Sequence, residues 1–221
     1  MYNTNRNIYG VMFMKNLVIT ISRGYGSGGK TIGKELSEEL GYEFFDLEVL
    51  RLASEKSGIN QELFAINDEN IKRLPFYKAF SPKGVFKGDI IPPGDKNFVS
   101  DENLFNYQAA VIRELASSKN CIFVGRAADY ILADFPNVLR INVQAPFDFC
   151  VRTVAERDLV NADEAEKRIK KIDKERSAYY KYYTGNEWND ATNYDLTLNG
   201  SIGWDKCIEI IKSALKIKFD L

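Results

Sequence analysis

The chain has 221 residues, a hydrophobic fraction of 45% and a formal net charge of −1, which suits one sizeable α/β domain with an insert or two small domains. It contains no histidine, which excludes a Ser-His-Asp triad, a Cys-His pair and histidine metal ligands. A charge balance so close to neutral argues against a global electrostatic attraction to nucleic acid.

The cysteines and the apolar runs predict the setting in which the protein works. Cys121, Cys150 and Cys207 are far apart, lack the spacing of metal ligands and lie among apolar residues. We therefore expect buried free thiols and a reducing, cytoplasmic environment. No apolar run approaches the ~20 residues of a membrane span, so no membrane association is expected. The domain is expected to begin near Met14, with residues 1–13 as a disordered leader or a misassigned start.

A strand, a glycine-rich loop and a helix open the predicted domain. Residues 17–21 form an apolar run typical of a buried parallel strand, and residues 30–40 have the pattern of an amphipathic helix. Between them, residues 24–31 read GYGSGGKT, which fits Gly, four residues, Gly-Lys-Ser/Thr. This is the P-loop pattern in the context that it requires, and an ordinary glycine-rich turn is the alternative.

The P-loop pattern predicts a site for the phosphates of a nucleoside triphosphate. Glycines let the backbone approach a ligand, its N–H groups form an anion-binding nest, and the helix N-terminus adds further donors. Lys30 is expected to reach the β- and γ-phosphates, and the Thr31 hydroxyl to hold Mg²⁺, so ATP and Mg²⁺ are the predicted cofactors. The predicted donor-binding residues of the loop are Gly24, Gly26, Ser27, Gly28, Gly29, Lys30 and Thr31.

Strands and helices alternate along the rest of the chain. The pattern predicts further strands at 42–45, 121–124, 138–143 and 194–198, and helices at 47–56, 59–74, 102–117, 146–159, 161–179 and 204–217. Residues 75–100 are rich in proline and glycine and are expected to form a long excursion. The alternation predicts a parallel sheet covered by helices on both faces.

Polar residues follow two of the predicted strands. Open α/β sheets bind ligands beyond the carboxyl ends of their strands, which places Asp46 and Arg126 near a substrate. Asp46 is expected either to touch an acceptor or to cap the next helix. Arg126 suits bidentate phosphate binding, with a surface or ion-pair role as the alternative. Asp129, one turn further, is expected to contact substrate or to pair with an arginine.

A basic stretch lies in the last third of the chain. Residues 167–181 contain seven lysines or arginines and two acids, most of which are expected on a solvated face. Because a transferring phosphoryl group needs donors on its equatorial oxygens, we expect at least one of Arg157, Arg168 and Arg176 in the site. The tyrosines at 179–183 are expected to pack a lid or an interface rather than to bind single-stranded nucleic acid.

The third predicted strand carries no acidic residue at its end. P-loop proteins often place a Walker-B aspartate there, but residues 123–125 read FVG. Mg²⁺ is therefore expected to rely on Thr31, nucleotide oxygens and water. Metal-dependent switching of the GTPase type is disfavoured.

With these motifs together, the chain resembles the cytidylate kinase-like family, a branch of the nucleoside monophosphate (NMP) kinases among the P-loop kinases. The matching pieces are ITISR at 19–23, GSGG at 26–29, LGY at 40–42, FD at 45–46, VGRAADYIL at 124–132, DKER at 173–176, YY at 179–180, NYDL at 193–196 and Asn199. The resemblance extends from about residue 15 to the C-terminus.

The resemblance implies a fold and an activity. The fold is a P-loop NTPase-type three-layer α/β sandwich with a five-stranded parallel sheet in the order 2-3-1-4-5. The kinase domain would span 14–221, with an NMP-binding insert at about 59–118 and a helical LID at about 150–185. The activity is transfer of the γ-phosphoryl group of ATP to an NMP, with CMP or dCMP as the first expectation.

By position, the resemblance also implies roles for individual residues. Asp46 and Arg126 would face the acceptor, and Arg157, Arg168 and Arg176 would belong to the LID. We also expect Asp129 to contact the substrate and Arg157 to bind the donor. The expected catalytic residues are Lys30, Arg126, Arg168 and Arg176. The only expected partner is the small-molecule acceptor, bound by a monomer or a homodimer.

Two other functions are compatible with the motifs. A P-loop kinase of a small hydroxylated metabolite would need a carboxylate base, for which Asp46 is the well-placed candidate. A regulatory nucleotide-binding module without turnover is allowed by the missing Walker-B acid. A phosphate monoester is mostly dianionic at neutral pH and needs no general base, which agrees with the absence of histidine and favours an NMP acceptor.

Overall fold

A computed structural model of the protein describes residues 16–69 and 89–221. The strands in this part of the chain are β1 Val18–Arg23, β2 Glu43–Phe45, β3 Cys121–Val124, β4 Val138–Gln144 and β5 Leu196–Asn199. They form one sheet in the order β2-β3-β1-β4-β5, and each neighbouring pair is parallel. The predicted α/β class and strand order are confirmed. The predicted leader, residues 1–13, lies outside the described residues.

Helices cover both faces of this sheet. Those of the described residues are α1 Gly29–Leu40, α2 Glu48–Ser57, α3 Gln61–Glu69, α4 Asp101–Ser118, α5 Ala128–Ile131, α6 Phe147–Asp158, α7 Ala162–Thr184 and α8 Trp204–Phe219. Ile19 and Ile21 of β1 pack in one apolar cluster with residues of α1 and α8. Val18 belongs to a second cluster with residues of α2, α4 and α5. Since successive strand residues point to opposite faces, the central strand is buried from both sides in a three-layer arrangement.

The carboxyl ends of the central strands meet at one edge of the sheet. Both β1 and β2 pair in parallel with β3, so the residues that follow these three strands lie side by side. The segments at this edge are the P-loop at 24–31, Asp46 after β2 and Arg126 after β3. The fold thereby brings together the polar residues predicted from the strand ends.

Among the boundaries that differ from the sequence predictions are the end of helix α7 and the start of strand β5. Helix α7 begins at the predicted Asn161 cap but continues to Thr184, beyond residue 179. Its last turn is held because the Tyr183 ring stacks on Phe105 of α4, with 4.1 Å between the ring centroids. Strand β5 begins two residues later than predicted, because Tyr194 directly follows a 3-10 turn at Ala191–Asn193.

Part of the predicted insert is outside the described residues. The described part of helix α3 reaches Glu69, within the helix predicted for 59–74, and residues 70–88 are not described. The side chain of Asn103 on α4 joins residues 89–100 to the domain. It accepts from the N–H of Ile91 at 2.8 Å and donates to the carbonyl of Phe98 at 2.7 Å. The limits of the insert and of the LID stay predictions.

The cysteines are buried free thiols, as predicted. Burial raises the pKa of Cys121 to about 12, which keeps this thiol protonated and unreactive at neutral pH. None of the helices in the described part of the chain is long and apolar enough to cross a lipid bilayer.

Candidate active site

The P-loop joins β1 to α1 through a tight turn. Gly26 and Gly28 have positive φ angles of 85° and 90°. A Cβ on Gly26 would lie 2.8 Å from a backbone oxygen of α6, and one on Gly28 would lie 2.2 Å from Nε1 of Trp204. The hydroxyl of buried Ser27 donates to the carbonyl of Gly24 at 2.9 Å. Glycine is therefore required at two loop positions by both conformation and space.

A cavity of about 500 Å³ lies beside this loop and is called the donor cavity here. Its lining residues are Arg23, Gly24, Tyr25, Gly26, Gly28, Gly29, Lys30, Thr31, Thr153, Glu156, Arg157, Arg176 and Trp204. Every predicted donor-binding residue lines it except the buried Ser27. Backbone N–H groups and the positive end of α1 face a bound anion at such a place, so the donor cavity suits phosphate groups.

Lys30 and Asp46 form an ion pair across the mouth of the site. Nζ of Lys30 lies 2.8 Å from Oδ2 of Asp46, and the Lys30 side chain is 62% exposed. Nη2 of Arg126 lies 3.7 Å from the other carboxylate oxygen. Burial disfavours the charged carboxylate. The hydrogen bond from Lys30 and the charges of Arg23 and Arg126 outweigh burial, and the pKa of Asp46 lies below its usual value.

Arg126 occupies an unusual turn after β3. Gly125, Arg126 and Ala127 have φ angles of 77°, 62° and 52°, a left-handed conformation that costs non-glycine residues about 1–3 kcal/mol each. The Arg126 side chain is 3% exposed. Burial lowers its pKa to about 10, so the guanidinium is still charged at neutral pH. Strain of this kind clusters at functional sites.

A second, smaller cavity of about 30 Å³ adjoins Arg126 and is called the arginine cavity here. Its lining residues are Ser22, Arg23, Gly125, Arg126, Ala127, Asp129, Arg176, Tyr179, Tyr180 and Trp188. Asp129 accepts a 2.5 Å hydrogen bond from the Tyr180 hydroxyl. Burial raises the pKa of Asp129 to about 6 despite that bond. Asp129 was expected either to contact substrate or to pair with an arginine. Its place on the wall of the arginine cavity is compatible with a substrate contact. Its hydrogen-bond partner is a tyrosine rather than an arginine.

Two of the three candidate arginines of the LID reach the cavities. Arg157 donates to the Tyr25 hydroxyl at 2.7 Å and lines the donor cavity. Arg176 donates to the carbonyl of Arg23 at 3.3 Å and lines both cavities. Arg168 instead pairs with Asp158 at 3.3 Å and also with Glu164 on its own helix, and it lines neither cavity.

Arg23 and Tyr25 complete the site and were not among the predicted site residues. Arg23 lines both cavities although its side chain is largely buried. The guanidinium groups of Arg157 and Arg176 lie 4.8 and 5.5 Å from the centroid of the Tyr25 ring. Their position in the sequence could have identified them, since both residues flank Gly24, the first glycine of the P-loop.

The model of the cytidylate kinase-like family matches residues 18–202, which include the P-loop, Asp46, Arg126 and Arg176. The chain belongs to the cytidylate kinase-like family. This membership makes it a phosphotransferase with a P-loop kinase fold. The resemblance drawn from the P-loop, the strand ends and the DKER segment is confirmed at the level of the family.

Relatives of this cytidylate kinase-like protein agree with the assignment. It is 27% identical to a cytidylate kinase of Methanopyrus kandleri, over 92% of this chain and 95% of the relative. It is 24% identical to a cytidylate kinase of Saccharolobus islandicus, over 84% of this chain and 82% of the relative.

Solved structures support the fold. An uncharacterized protein from Eubacterium ventriosum superposes with a TM-score of 0.62 at 23% identity, over 90% of this chain and 99% of that one. A shikimate kinase from Bacteroides thetaiotaomicron superposes with a TM-score of 0.51 at 13% identity, over 90% and 98% of the two chains.

Proposed function

We propose that this protein transfers the γ-phosphoryl group of ATP to the phosphate of a nucleoside monophosphate, with CMP or dCMP as the preferred acceptor. The observation that carries the proposal is the convergence of Arg23, Arg126 and Arg176 on a cavity next to the P-loop. Three guanidinium groups at the carboxyl edge of the sheet suit a phosphate group that faces the donor.

The donor side fits the phosphates of ATP. The glycine positions leave a cradle that a Cβ would fill, and Lys30 extends into the donor cavity from the start of α1. Lys30 would exchange Asp46 for the β- and γ-phosphates when ATP binds. Thr31 lines the same cavity and would hold Mg²⁺, which neutralises phosphate charge when bound. Residues 16–69 and 89–221 contain no cluster of three histidine, cysteine or acidic side chains, so the remaining metal ligands would be phosphate oxygens and water.

The charge of the acceptor side favours a phosphate monoester over an alcohol. Arg126 and Arg176 would pair with a dianionic phosphate, whereas a neutral hydroxyl offers these guanidinium groups no negative charge. The lowered pKa of Asp46 makes its carboxylate a poor proton acceptor. A phosphate acceptor does not need one, because it is already ionised at neutral pH.

The identity of the acceptor base rests on the relatives. Two cytidylate kinases with 27% and 24% identity cover most of this chain, which makes CMP and dCMP the first candidates. The arginine cavity, at about 30 Å³, is too small for a sugar and a base, which would therefore be bound by residues beyond it. The insert at about 59–118 is proposed for that role, and the helices at 150–185 are proposed to close over the donor.

We further propose that the protein works in the cytoplasm, as a monomer or a homodimer, without a nucleic-acid or membrane partner.

The test is ADP formation from Mg-ATP with CMP, dCMP, UMP, AMP, GMP, shikimate or no acceptor. The Lys30→Ala variant serves as the control for turnover at the P-loop. Rapid turnover that depends on Lys30 and on one pyrimidine monophosphate would support the proposal. Turnover with shikimate alone would favour a metabolite kinase, for which the Asp46 carboxylate is the available base. ATP binding without turnover on any acceptor would favour a regulatory module.

A further inference from the structure

Arg23 occupies the boundary between the two cavities of the site. It is the last residue of β1, and the P-loop begins at the next residue. Its backbone pairs with Val143 of β4, so the position is fixed within the central sheet. The residue is 8% exposed and lines both the donor cavity and the arginine cavity. A cation here borders both the cavity proposed for the donor phosphates and the cavity proposed for the acceptor phosphate.

Two glycines make room for the Arg23 side chain. A Cβ on Gly29 of the P-loop would lie 2.5 Å from Cβ of Arg23. A Cβ on Gly125, in the turn that leads to Arg126, would lie 2.2 Å from Nη1 of Arg23. The side chain therefore runs from the P-loop at its base to the Arg126 turn at its guanidinium. No other residue type fits at Gly29 or Gly125 while Arg23 keeps this path.

The charge of Arg23 acts on groups on both sides of the boundary. It favours the ionised forms of Asp46 after β2 and of Asp173 on α7, and it disfavours the charged form of Arg126. Arg23 and Arg126 are like charges on one cavity, and an anion bound between them would lower their mutual repulsion. The arrangement is thus suited to a group that carries negative charge and sits between the cavities.

We propose that Arg23 is a catalytic residue whose guanidinium binds the phosphoryl group during its transfer, an inference that rests on the proposed function. An oxygen of the acceptor phosphate forms a bond to the γ-phosphorus while the bond from phosphorus to the β–γ bridging oxygen breaks. The electron pair of that bond leaves with ADP, and the dianionic acceptor releases no proton. Arg23 compensates the negative charge of the equatorial oxygens, which a side chain already fixed on a sheet strand does without reorganisation.

Arg23 differs in this respect from Arg176, which lines the same two cavities. Arg176 belongs to α7, within the segment proposed to close over the donor, and its position depends on that helix. Arg23 belongs to the central strand and keeps its place whether the helix moves or not. Arg23 is therefore fixed on the sheet, whereas the place of Arg176 depends on α7.

The test compares Arg23→Gln and Arg23→Lys with wild type, and Arg51→Ala on the exposed face of α2 is the matched control. Binding of ADP is measured with Mg²⁺ alone and with Mg²⁺ plus aluminium fluoride, a mimic of the phosphoryl group in transfer. Arg23→Gln is expected to bind ADP within about threefold of wild type and to lose about 100-fold of the affinity that aluminium fluoride adds. With the preferred acceptor, kcat falls by a similar factor while KM changes little.

Equal fluoride enhancement in Arg23→Gln and wild type would overturn the proposal. A loss of ADP affinity in Arg23→Gln as large as its loss of fluoride enhancement would also overturn the proposal, because it indicates a structural role for Arg23. If thermal unfolding shows that Arg23→Gln does not fold, Arg23→Lys replaces it in the test. The lysine keeps the charge but not the planar guanidinium, and this variant is expected to lose about tenfold of the enhancement. If wild type shows the fluoride enhancement but no NMP turnover, the proposed acceptor is contradicted. The role of Arg23 is then tested by the fluoride enhancement alone. Wild-type turnover of the NMP without enhancement, together with an unchanged kcat in Arg23→Gln, would contradict the role of Arg23 and leave the proposed function standing.

Discussion

Asp173 accepts a hydrogen bond from the backbone N–H of Tyr25 at 2.8 Å, across 148 residues of sequence. The bond ties helix α7 to the second residue of the P-loop. The same helix carries Arg176, whose guanidinium donates to the carbonyl on the other side of the first loop glycine. Two polar contacts therefore hold the phosphate loop and α7 in one arrangement.

Removal of the Asp173 carboxylate should loosen this arrangement. Asp173→Ala leaves the Tyr25 N–H without its acceptor, at a cost of about 1–3 kcal/mol, and is expected to weaken ATP binding by about tenfold. Asp173→Asn keeps a carbonyl acceptor and should lie close to wild type. Titration calorimetry with ATP, together with hydrogen exchange of residues 24–31, measures both effects. Identical ATP affinities for Asp173→Ala and wild type would contradict a link between α7 and the loop.

The contact between Gly28 and Trp204 predicts a large effect from one methyl group. Gly28→Ala places a Cβ against the indole of Trp204 and is expected to weaken ATP binding by more than about 30-fold, because the loop or α8 must shift. Gly41→Ala is the matched control. Gly41 also has a positive φ, of 66°, but no atom lies within 4 Å of an added Cβ. This variant should lose about 1 kcal/mol of folding free energy and keep its ATP affinity.

ATP affinity from equilibrium titration and the free energy of unfolding from urea denaturation separate the two variants. If Gly41→Ala impairs ATP binding as much as Gly28→Ala, the effect comes from backbone strain rather than from the collision with Trp204.

The role of Asp46 distinguishes a nucleotide kinase from a kinase of hydroxylated metabolites. With a phosphate acceptor, Asp46→Asn removes an ion-pair partner of Lys30 and is expected to lower kcat by about tenfold or less. With a hydroxyl acceptor, loss of the base should lower kcat by about 10²–10⁴-fold. The kcat of Asp46→Asn with the preferred acceptor distinguishes the two kinds of kinase. Asp134→Asn is the control, because the Asp134 carboxylate is exposed and pairs with Arg113.

The buried Asp129 predicts a specific dependence of stability on pH. Its pKa in the folded protein is about 6, above the value of about 3.9 in an unfolded chain. The folded state therefore binds more protons than the unfolded state between these two values. Stability contributed by this group is fully present below pH ~4 and is lost as the pH rises through ~6.

The Asp129→Asn variant removes that titration. Its stability relative to wild type is expected to improve by roughly 2–3 kcal/mol as the pH rises from about 4 to 7, since each pKa unit corresponds to about 1.4 kcal/mol. Urea unfolding of both proteins across this range gives the difference directly. Parallel stability curves would show that Asp129 titrates normally in the folded protein.

The strands and the P-loop could be predicted because their signals are local. An apolar run such as that of β1 and an eight-residue glycine pattern need no knowledge of distant residues. The proximity of Asp46 and Arg126 followed from one further rule, since the ends of parallel strands share an edge. The structure places their side chains 3.7 Å apart.

Other features depend on contacts that no local pattern encodes. The path of Arg23 requires glycine at positions 29 and 125, which are brought together only by the pairing of β1 with β3. The length of α7 is set by the packing of Tyr183 on Phe105 rather than by helix propensity. The positions of Arg168 and Arg176 in the basic stretch did not reveal that Arg168 pairs with Asp158 whereas Arg176 lines the cavities.

The two tryptophans of the chain both lie at the site, one on each cavity. Trp204 lies against the phosphate loop, and Trp188 donates to the Ser22 hydroxyl at 2.7 Å beside the arginine cavity. The molecule thus carries its own optical reporters, without any attached dye. Replacement of either tryptophan by phenylalanine leaves a single tryptophan as the fluorophore. Stopped-flow tryptophan fluorescence can then time the arrival of each ligand separately.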